Sequence, residues 1–522
     1  MATSVSCDVN LPQLFLEGGL LLTEEAYVKL LEDNIPLDRV REYLSAHDAS
    51  SGPLVTKDAY EDFFYPLTEP QEGHEEPPLP VPEAPCVSAK PRERPEPRTS
   101  VKVKHIPAKD VDPDIKILKD VSGKDDSEGS LDDFLSLFRD RYRKISRIFK
   151  EHADLRDFIP IKNAKTQELK SAVKIVGLVQ EKSTTKNGNI ILELEDMSGS
   201  IKVLVSTGKE RLIERAKYIM RDEVIGIIGV LGDDIVFAND VQFPDISVGR
   251  PRNQAPCDIN AIFTSDIHVG SNEFAEKSFL RFIKWLRLEM GSEKQQELAA
   301  KVKYVVVTGD VVDGIGIYPN QDKELTIKDI YQQYEETAKL FSYFPDWIEI
   351  IVSPGNHDAT RSGNPQLPIP KQFAYGLYEN SAVHMISNPS YFSLHDVRCL
   401  TYHGDSIFDF LSQIPGFEYT DCVAPMTEML RKRHLAPLYG MGTQIIPEQH
   451  DFLCIEEPPD IFHTGHTHMY GSGTYRNITL INGGGWQAQT EYQKLRNITP
   501  DVGRVPIVNL QSHKMVVMNF GD

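Results

Sequence analysis

The sequence is poor in cysteine and in positive charge, and it has no long apolar run. Six cysteines (Cys7, Cys86, Cys257, Cys399, Cys422, Cys454) are scattered over 522 residues with no CxxC pair, which argues against a cysteine-ligated zinc module and against a disulfide framework. No stretch approaches the roughly eighteen uninterrupted apolar residues of a membrane span. The start MATSVSCDVN lacks the basic and apolar segments of a signal peptide, so the expectation is a cytoplasmic protein with reduced thiols and no membrane association. Lys+Arg 56 against Asp+Glu 77 leaves a net charge of −21. A polyanionic substrate must then be met through local basic patches or bound cations, not through the overall field.

What is present exceeds one domain, because a chain of 522 residues is too long for a single core. Residues 1–65 carry helical patterning (Tyr27, Leu30 and Leu31 after Thr23-Glu24-Glu25) and predict a small helical module. Prolines such as Pro66, Pro70, Pro77, Pro78 and Pro80 open a segment, 66–129, with few apolar residues; it reads as a charged linker. Over 130–160 an amphipathic helix is predicted, since Leu131, Phe134, Leu135, Phe138, Tyr142, Ile145 and Phe149 fall on one stripe. Between 161 and 250 the period changes to that of short strands (KIVGLVQE, NIILELED, IKVLVS, VIGIIGVLG, IVFANDVQF) separated by glycine-containing turns, the pattern of an OB-like β-barrel. From 255 to 522 strand-like runs alternate with helical patterns, which predicts an α/β layered domain.

Five short motifs in this last domain sit where predicted strands end: Ser265-Asp266-Ile267-His268, Thr308-Gly309-Asp310, Gly355-Asn356-His357-Asp358, Tyr402-His403-Gly404-Asp405 and Gly465-His466-Thr467-His468. Ligands of open α/β sheets collect beyond the carboxyl ends of strands, so all five can converge. Asp266 and His268, and likewise His466 and His468, are one residue apart and can present both side chains to one cation. Imidazoles, carboxylates and one amide, without thiolate, suit Mn²⁺, Fe or Zn, and the oxygen share tilts the choice toward Mn²⁺. Two such ions would activate a shared water, clamp phosphate oxygens and offset developing charge in phosphodiester hydrolysis. Singly, each motif reads as a turn; their joint occurrence carries the argument.

The order of these motifs resembles that of the calcineurin-like metallophosphoesterases. GDVVDGIGIYPNQ, RKRHLAPLYG and INGGGWQAQTEYQKLRNITPDVGRVPIVNL are similar to one branch of them, the small subunit of archaeal family D DNA polymerase, and the resemblance spans about 165–520. It implies a two-sheet sandwich flanked by helices over 255–522, two divalent metal ions, and 3′ to 5′ proofreading exonuclease activity. It further implies Asp266, His268, Asp310 and His468 at one metal, Asp310, Asn356, His403 and His466 at the other, and His357 as the acid that protonates the leaving 3′ oxygen. The implied partners are a large catalytic polymerase subunit, DNA 3′ ends and a sliding clamp. Two alternatives stand beside it: a non-catalytic scaffold, which loss of ligands would mark, and a phosphatase or phosphodiesterase with the same metal chemistry. Of the neighbouring residues, His463 is expected to support or pack rather than ligate, Asp358 to hold a loop or a catalytic imidazole, and Arg431-Lys432-Arg433 to form the solvated face of a helix.

Overall fold

The computed structural model describes residues 105–124, 127–495 and 498–521, together with the two-residue strands Leu21–Leu22 and Leu54–Val55, which pair in parallel. The rest of the helical module expected over 1–65, and most of the linker expected over 66–129, lie outside the described residues.

The described end of that linker is folded. Pro107–Asp110 forms a 3₁₀ turn and β1 (Ile115–Lys119) pairs antiparallel with the strand Ser390–Leu394. IKILK is short and half polar, yet an edge strand needs only one partner; Ile115 tucks against a sheet-to-sheet core and Lys119 pairs with Glu456 at 2.8 Å. The amphipathic helix is shorter than the predicted 130–160. It runs Leu131–Phe149 behind a capping box, in which the Ser130 hydroxyl accepts from the Asp133 N–H (3.2 Å) and the Asp133 carboxylate accepts from the Ser130 N–H (2.9 Å). Beyond Phe149 the chain turns back, and Leu155 joins Phe149 against the barrel, in space that Gly226 leaves by having no side chain.

The next five strands are β2 (Ala172–Thr184), β3 (Ile190–Asp196), β4 (Gly199–Val205), β5 (Val224–Leu231) and β6 (Ile235–Gln242). They close into a barrel in the order β2-β3-β4-β6-β5, with only β4 and β6 parallel. Alternate residues such as Ile175, Leu192, Leu194, Val203, Ile225 and Ile227 fill its interior, as the period of two requires.

Two six-stranded sheets follow. The first contains β7 (Asn260–Thr264), β8 (Val302–Thr308), β9 (Glu349–Ser353) and β10 (Val383–Met385). The second contains β11 (Ser390–Leu394), β12 (Val397–Thr401), β13 (Ile461–Thr464), β14 (Tyr470–Tyr475) and β15 (Ile478–Gly483). Strands β16 (Arg504–Asn509) and β17 (Met515–Asn519) return to the first sheet. Its order is β10-β9-β8-β7-β16-β17 and that of the second is β14-β15-β13-β12-β11-β1.

Side-chain alternation sorts the strands into layers. Phe263, Tyr304, Val306 and Ile351 share one core with Phe392, Cys399, Ile461 and Ile481, so the two sheets face each other. Ile262, Val305, Val307 and Ile350 point the opposite way, onto the helices Glu276–Leu286 and Ile330–Ser342. Leu400, Phe462 and Leu480 likewise pack on Ile407–Gln413 and Val423–Lys432. The domain is a sandwich of two sheets with helices outside both.

Buried charge joins the sandwich to the barrel. Arg141, fully buried, donates from Nε to Asp451 Oδ2 (2.7 Å) and from Nη1 to the carbonyls of Pro437 (2.6 Å) and Asp222 (2.8 Å). The run Arg431-Lys432-Arg433 is not the solvated face expected of it. Lys432 is 1% exposed and meets Glu223 of the barrel at 2.8 Å and Glu428 at 3.6 Å, while Arg433 donates from Nε to the Ile455 carbonyl at 2.7 Å. Charge runs reach into an interior when carboxylates and carbonyls wait there, and of these partners only Glu428 is near in sequence.

Candidate metal centre

The carboxyl ends of five strands meet on one rim. In the first sheet β7, β8 and β9 run parallel and hand over to Asp266, Asp310 and Asn356-His357. In the second, β12 and β13 run parallel and hand over to His403 and to His466 and His468. The turns that follow are tight. Asp266 (φ 52°), His268 (φ 54°), Asp310 (φ 50°), His466 (φ 68°) and His468 (φ 55°) all adopt left-handed backbone, a conformation that costs non-glycine residues on the order of 1 kcal/mol or more each and that clusters at functional sites. Gly309 (φ 78°) brings its loop against the His403 ring, where any side chain would collide.

All eight residues expected at the site come together. Asp266, His268 and His468 form one potential ligand group, His268, Asp310 and His357 a second, and Asp310, His403 and His466 a third. His268 Nε2 is 3.1 Å from His468 Nε2 and 4.0 Å from Asp266 Oδ1. His403 Nε2 is 3.0 Å from Asn356 Oδ1 and 3.3 Å from His466 Nδ1. Asp310 lies between the groups, with Oδ2 at 3.6 Å from His268 Nε2 and 3.2 Å from His403 Nε2. Its other oxygen, Oδ1, accepts the His357 backbone N–H at 2.9 Å. His357 is half-buried, and its Nδ1 donates to the Asp313 carbonyl at 2.7 Å.

Hydrogen bonds behind the rings fix which nitrogen faces inward. His268 Nδ1 lies 3.0 Å from Asp313 Oδ1 and His403 Nδ1 lies 3.1 Å from the Thr308 carbonyl. An oxygen that can only accept leaves each Nδ1 protonated, so in the neutral ring Nε2 carries a lone pair. Those lone pairs point at carboxylate and amide oxygens, an arrangement of acceptors facing acceptors that a cation between them resolves. Against the cost of burial, the Asp313 hydrogen bond raises His268 to about 8 and the Asp310 charge raises His403 well above the ordinary imidazole range, so both rings draw positive charge toward the carboxylates. Burial, with the Asp310 charge adding to it, pushes Asp266 up to about 6. Asp310 is held well below the usual carboxylate range; burial opposes this, and the neighbouring His403 outweighs it. Burial and the charge of His403 push His466 down to about 4. Buried carboxylates that call for positive charge in this way, beside imidazoles that burial keeps neutral, fit divalent cations.

The sequence does not single out Asp313, although it stands three residues after Asp310 in GDVVD. It is fully buried and is held by Gln487 Nε2 (2.9 Å) and Gln321 Nε2 (3.0 Å) as well as by His268. Gln493, 3.0 Å from His468 Nδ1, carries no signal in the sequence. His463 stays outside all three ligand groups and bonds Thr308 Oγ1 at 2.7 Å. Asp358 holds its loop: its oxygens accept from Tyr334 Oη (3.0 Å) and from the Gly355 N–H (2.9 Å). A fourth group, His434, Asp451 and Cys454, is of another kind. His434 Nδ1 accepts from the Ala436 N–H (3.1 Å), its Nε2 meets Asp451 Oδ2 at 2.8 Å, and Arg141 shares that oxygen. Protein partners already satisfy it.

The family model for the B-type subunits of DNA polymerases alpha and epsilon matches residues 261–471. Among curated proteins, the DNA polymerase II small subunit of Methanothermobacter thermautotrophicus is 38% identical over 95% of this chain and 96% of its own length. That of Archaeoglobus fulgidus is 42% identical over 75% of this chain and 78% of its own length. The corresponding subunit of Methanocaldococcus jannaschii is 36% identical over 77% of this chain and 68% of its own length.

Proposed function

The chain belongs to the DNA polymerase II small subunit family, and from that premise we propose that its metal centre is a 3′ to 5′ exonuclease that removes nucleotides from DNA ends. One observation carries the reading: seven potential ligands from five loops, five of them on left-handed backbone, converge around Asp310, which reaches His268 on one side and His403 on the other. A purely architectural subunit has no use for that strain.

Asp266, His268, Asp310 and His468 are assigned to one ion, and Asp310, Asn356, His403 and His466 to the other. With four imidazoles, two carboxylates, one amide and no thiolate, the set suits Mn²⁺, with Fe or Zn as alternatives. When bound, two such ions supply Lewis acidity toward a phosphate and a nucleophile at neutral pH. The chain's own residues do the rest. Asp310 divides its work, one oxygen toward both groups and the other fixing the loop of His357. The Asp313 carbonyl holds the His357 ring through Nδ1, which leaves Nε2 to carry the proton delivered to the departing 3′ oxygen. With a net charge of −21 the protein's field alone would not draw in a polyanion, so ions held by these residues would meet its phosphate.

A small subunit implies a larger partner, to which synthesis is assigned; the closed barrel is read as OB type, a sliding clamp is a further expected partner, and the complex works in the cytoplasm. The full-length chain, supplied with Mn²⁺, is expected to shorten 3′-labelled single-stranded DNA and to leave a phosphopeptide intact. Hydrolysis of the phosphopeptide alone would favour the phosphatase alternative, and hydrolysis of neither the scaffold.

A further inference from the structure

The two sides of the metal centre differ in their aromatic residues. Beside His357, Tyr318 stands 6.3 Å away between ring centroids and its hydroxyl is tied to Glu324 at 3.1 Å. Beside His466, Phe408 packs edge-on with centroids 5.4 Å apart, and Tyr419 lies 5.7 Å from Phe408 with the two ring planes within 31°. Phe408 is half-buried at the start of the helix Ile407–Gln413, which follows the loop of His403, and rests on the core outside the second sheet. Tyr419 is 54% exposed.

A tyrosine ring half left in water, tilted 31° against a second ring that touches a metal-ligand candidate, is a surface for a flat aromatic partner. A nucleobase matches it: each base has a π-face, and stacking on Phe or Tyr holds it without help from charge. That matters on a chain of net charge −21, where a polyanion gains little from the protein beyond its dications.

We propose that Phe408 and Tyr419 form a stacking platform for the nucleobase of the nucleotide whose phosphate occupies the metal centre. This rests on the nuclease reading of that centre. Tyr419 is the outer leaf and touches the base; Phe408 supports it and fixes its height above His466.

The test uses full-length protein, Mn²⁺ and two single-stranded oligodeoxynucleotides that differ only in having a normal or an abasic 3′-terminal residue. Wild type is expected to show a KM about tenfold higher for the abasic end. Tyr419→Ala should lose that difference by raising KM for the normal end alone, and Tyr419→Trp should restore it. A merely structural role would move both substrates together. Equal KM values in wild type, or an undiminished difference in Tyr419→Ala, would overturn the platform. If wild type cleaves neither substrate, the nuclease reading fails on its own, and the platform is read from binding of a strand ending in 2-aminopurine. Quenching by wild type that Tyr419→Ala abolishes supports the platform; equal signals, or no binding, overturn it.

Discussion

Asp313 Oδ1 sits 3.0 Å from His268 Nδ1, and two glutamine side chains, Gln321 and Gln487, donate to the same carboxylate. Burial works against this carboxylate, but the hydrogen bond from His268 outweighs it and holds Asp313 below its usual range. The pair sets the tautomer that turns His268 Nε2 inward. Asp313→Ala should therefore weaken Mn²⁺ binding about 10- to 100-fold, the usual cost of losing a carboxylate behind a ligating imidazole, as read by calorimetric titration. An unchanged affinity would remove Asp313 from the account.

Asp310 lies within 3.6 Å of His268 and 3.2 Å of His403, whereas His468 groups only with Asp266 and His268. Asp310→Ala should leave the purified chain with fewer than one bound dication. His468→Ala should retain about one of the two. Metal analysis of both variants decides the matter, and equal losses would mean that Asp310 does not bridge.

Lys432 neutralises Glu223 where the barrel meets the sandwich, and both side chains are essentially buried. Removing the cation strands a carboxylate, so Lys432→Met should cost about 3–5 kcal/mol in chemical unfolding. Burial already pushes Glu223 up, against the pull of Lys432, so in the variant its folded-state pKa exceeds the unfolded one. A carboxyl raised in this way is stabilising when protonated, and the deficit should shrink as pH falls toward 5. Lys432→Met with Glu223→Gln should recover most of the loss.

His434 runs the other way. Burial and the charge of Arg141 push it down to about 4, below the ordinary imidazole value near 6.5. The folded chain then holds fewer protons here than the unfolded chain, so stability is complete above about 6.5 and declines as pH falls toward 4. The unfolding free energy of wild type should fall more steeply across that window than that of His434→Gln. Parallel slopes would contradict the assignment.

Much of the site was legible because its chemistry is written as local pairs. Asp266-x-His268 and His466-x-His468 announce themselves, and strand-ending glycines mark the sharp turns. What was not legible depends on partners distant in sequence. Gln493 is an ordinary glutamine until His468 lies 3.0 Å away, and Lys432 looks solvated until Glu223, across a domain junction, is brought to it. The edge strand Ile115–Lys119 has too little apolar pattern to be seen alone, and its order comes from the neighbouring strand Ser390–Leu394. The helix stripe to Phe149 was visible, but its end was not, because the backward turn answers to Gly226 of the barrel.

The most direct test of the central claim is the rate at which the full-length chain, carrying two Mn²⁺ ions, releases mononucleotides from 3′-labelled single-stranded DNA, compared with His357→Ala. The expected result is release by wild type and a fall of roughly 10²- to 10⁴-fold in the variant with the same metal content. A metal-loaded wild type that releases nothing, or a His357→Ala variant that is equally fast, would contradict it.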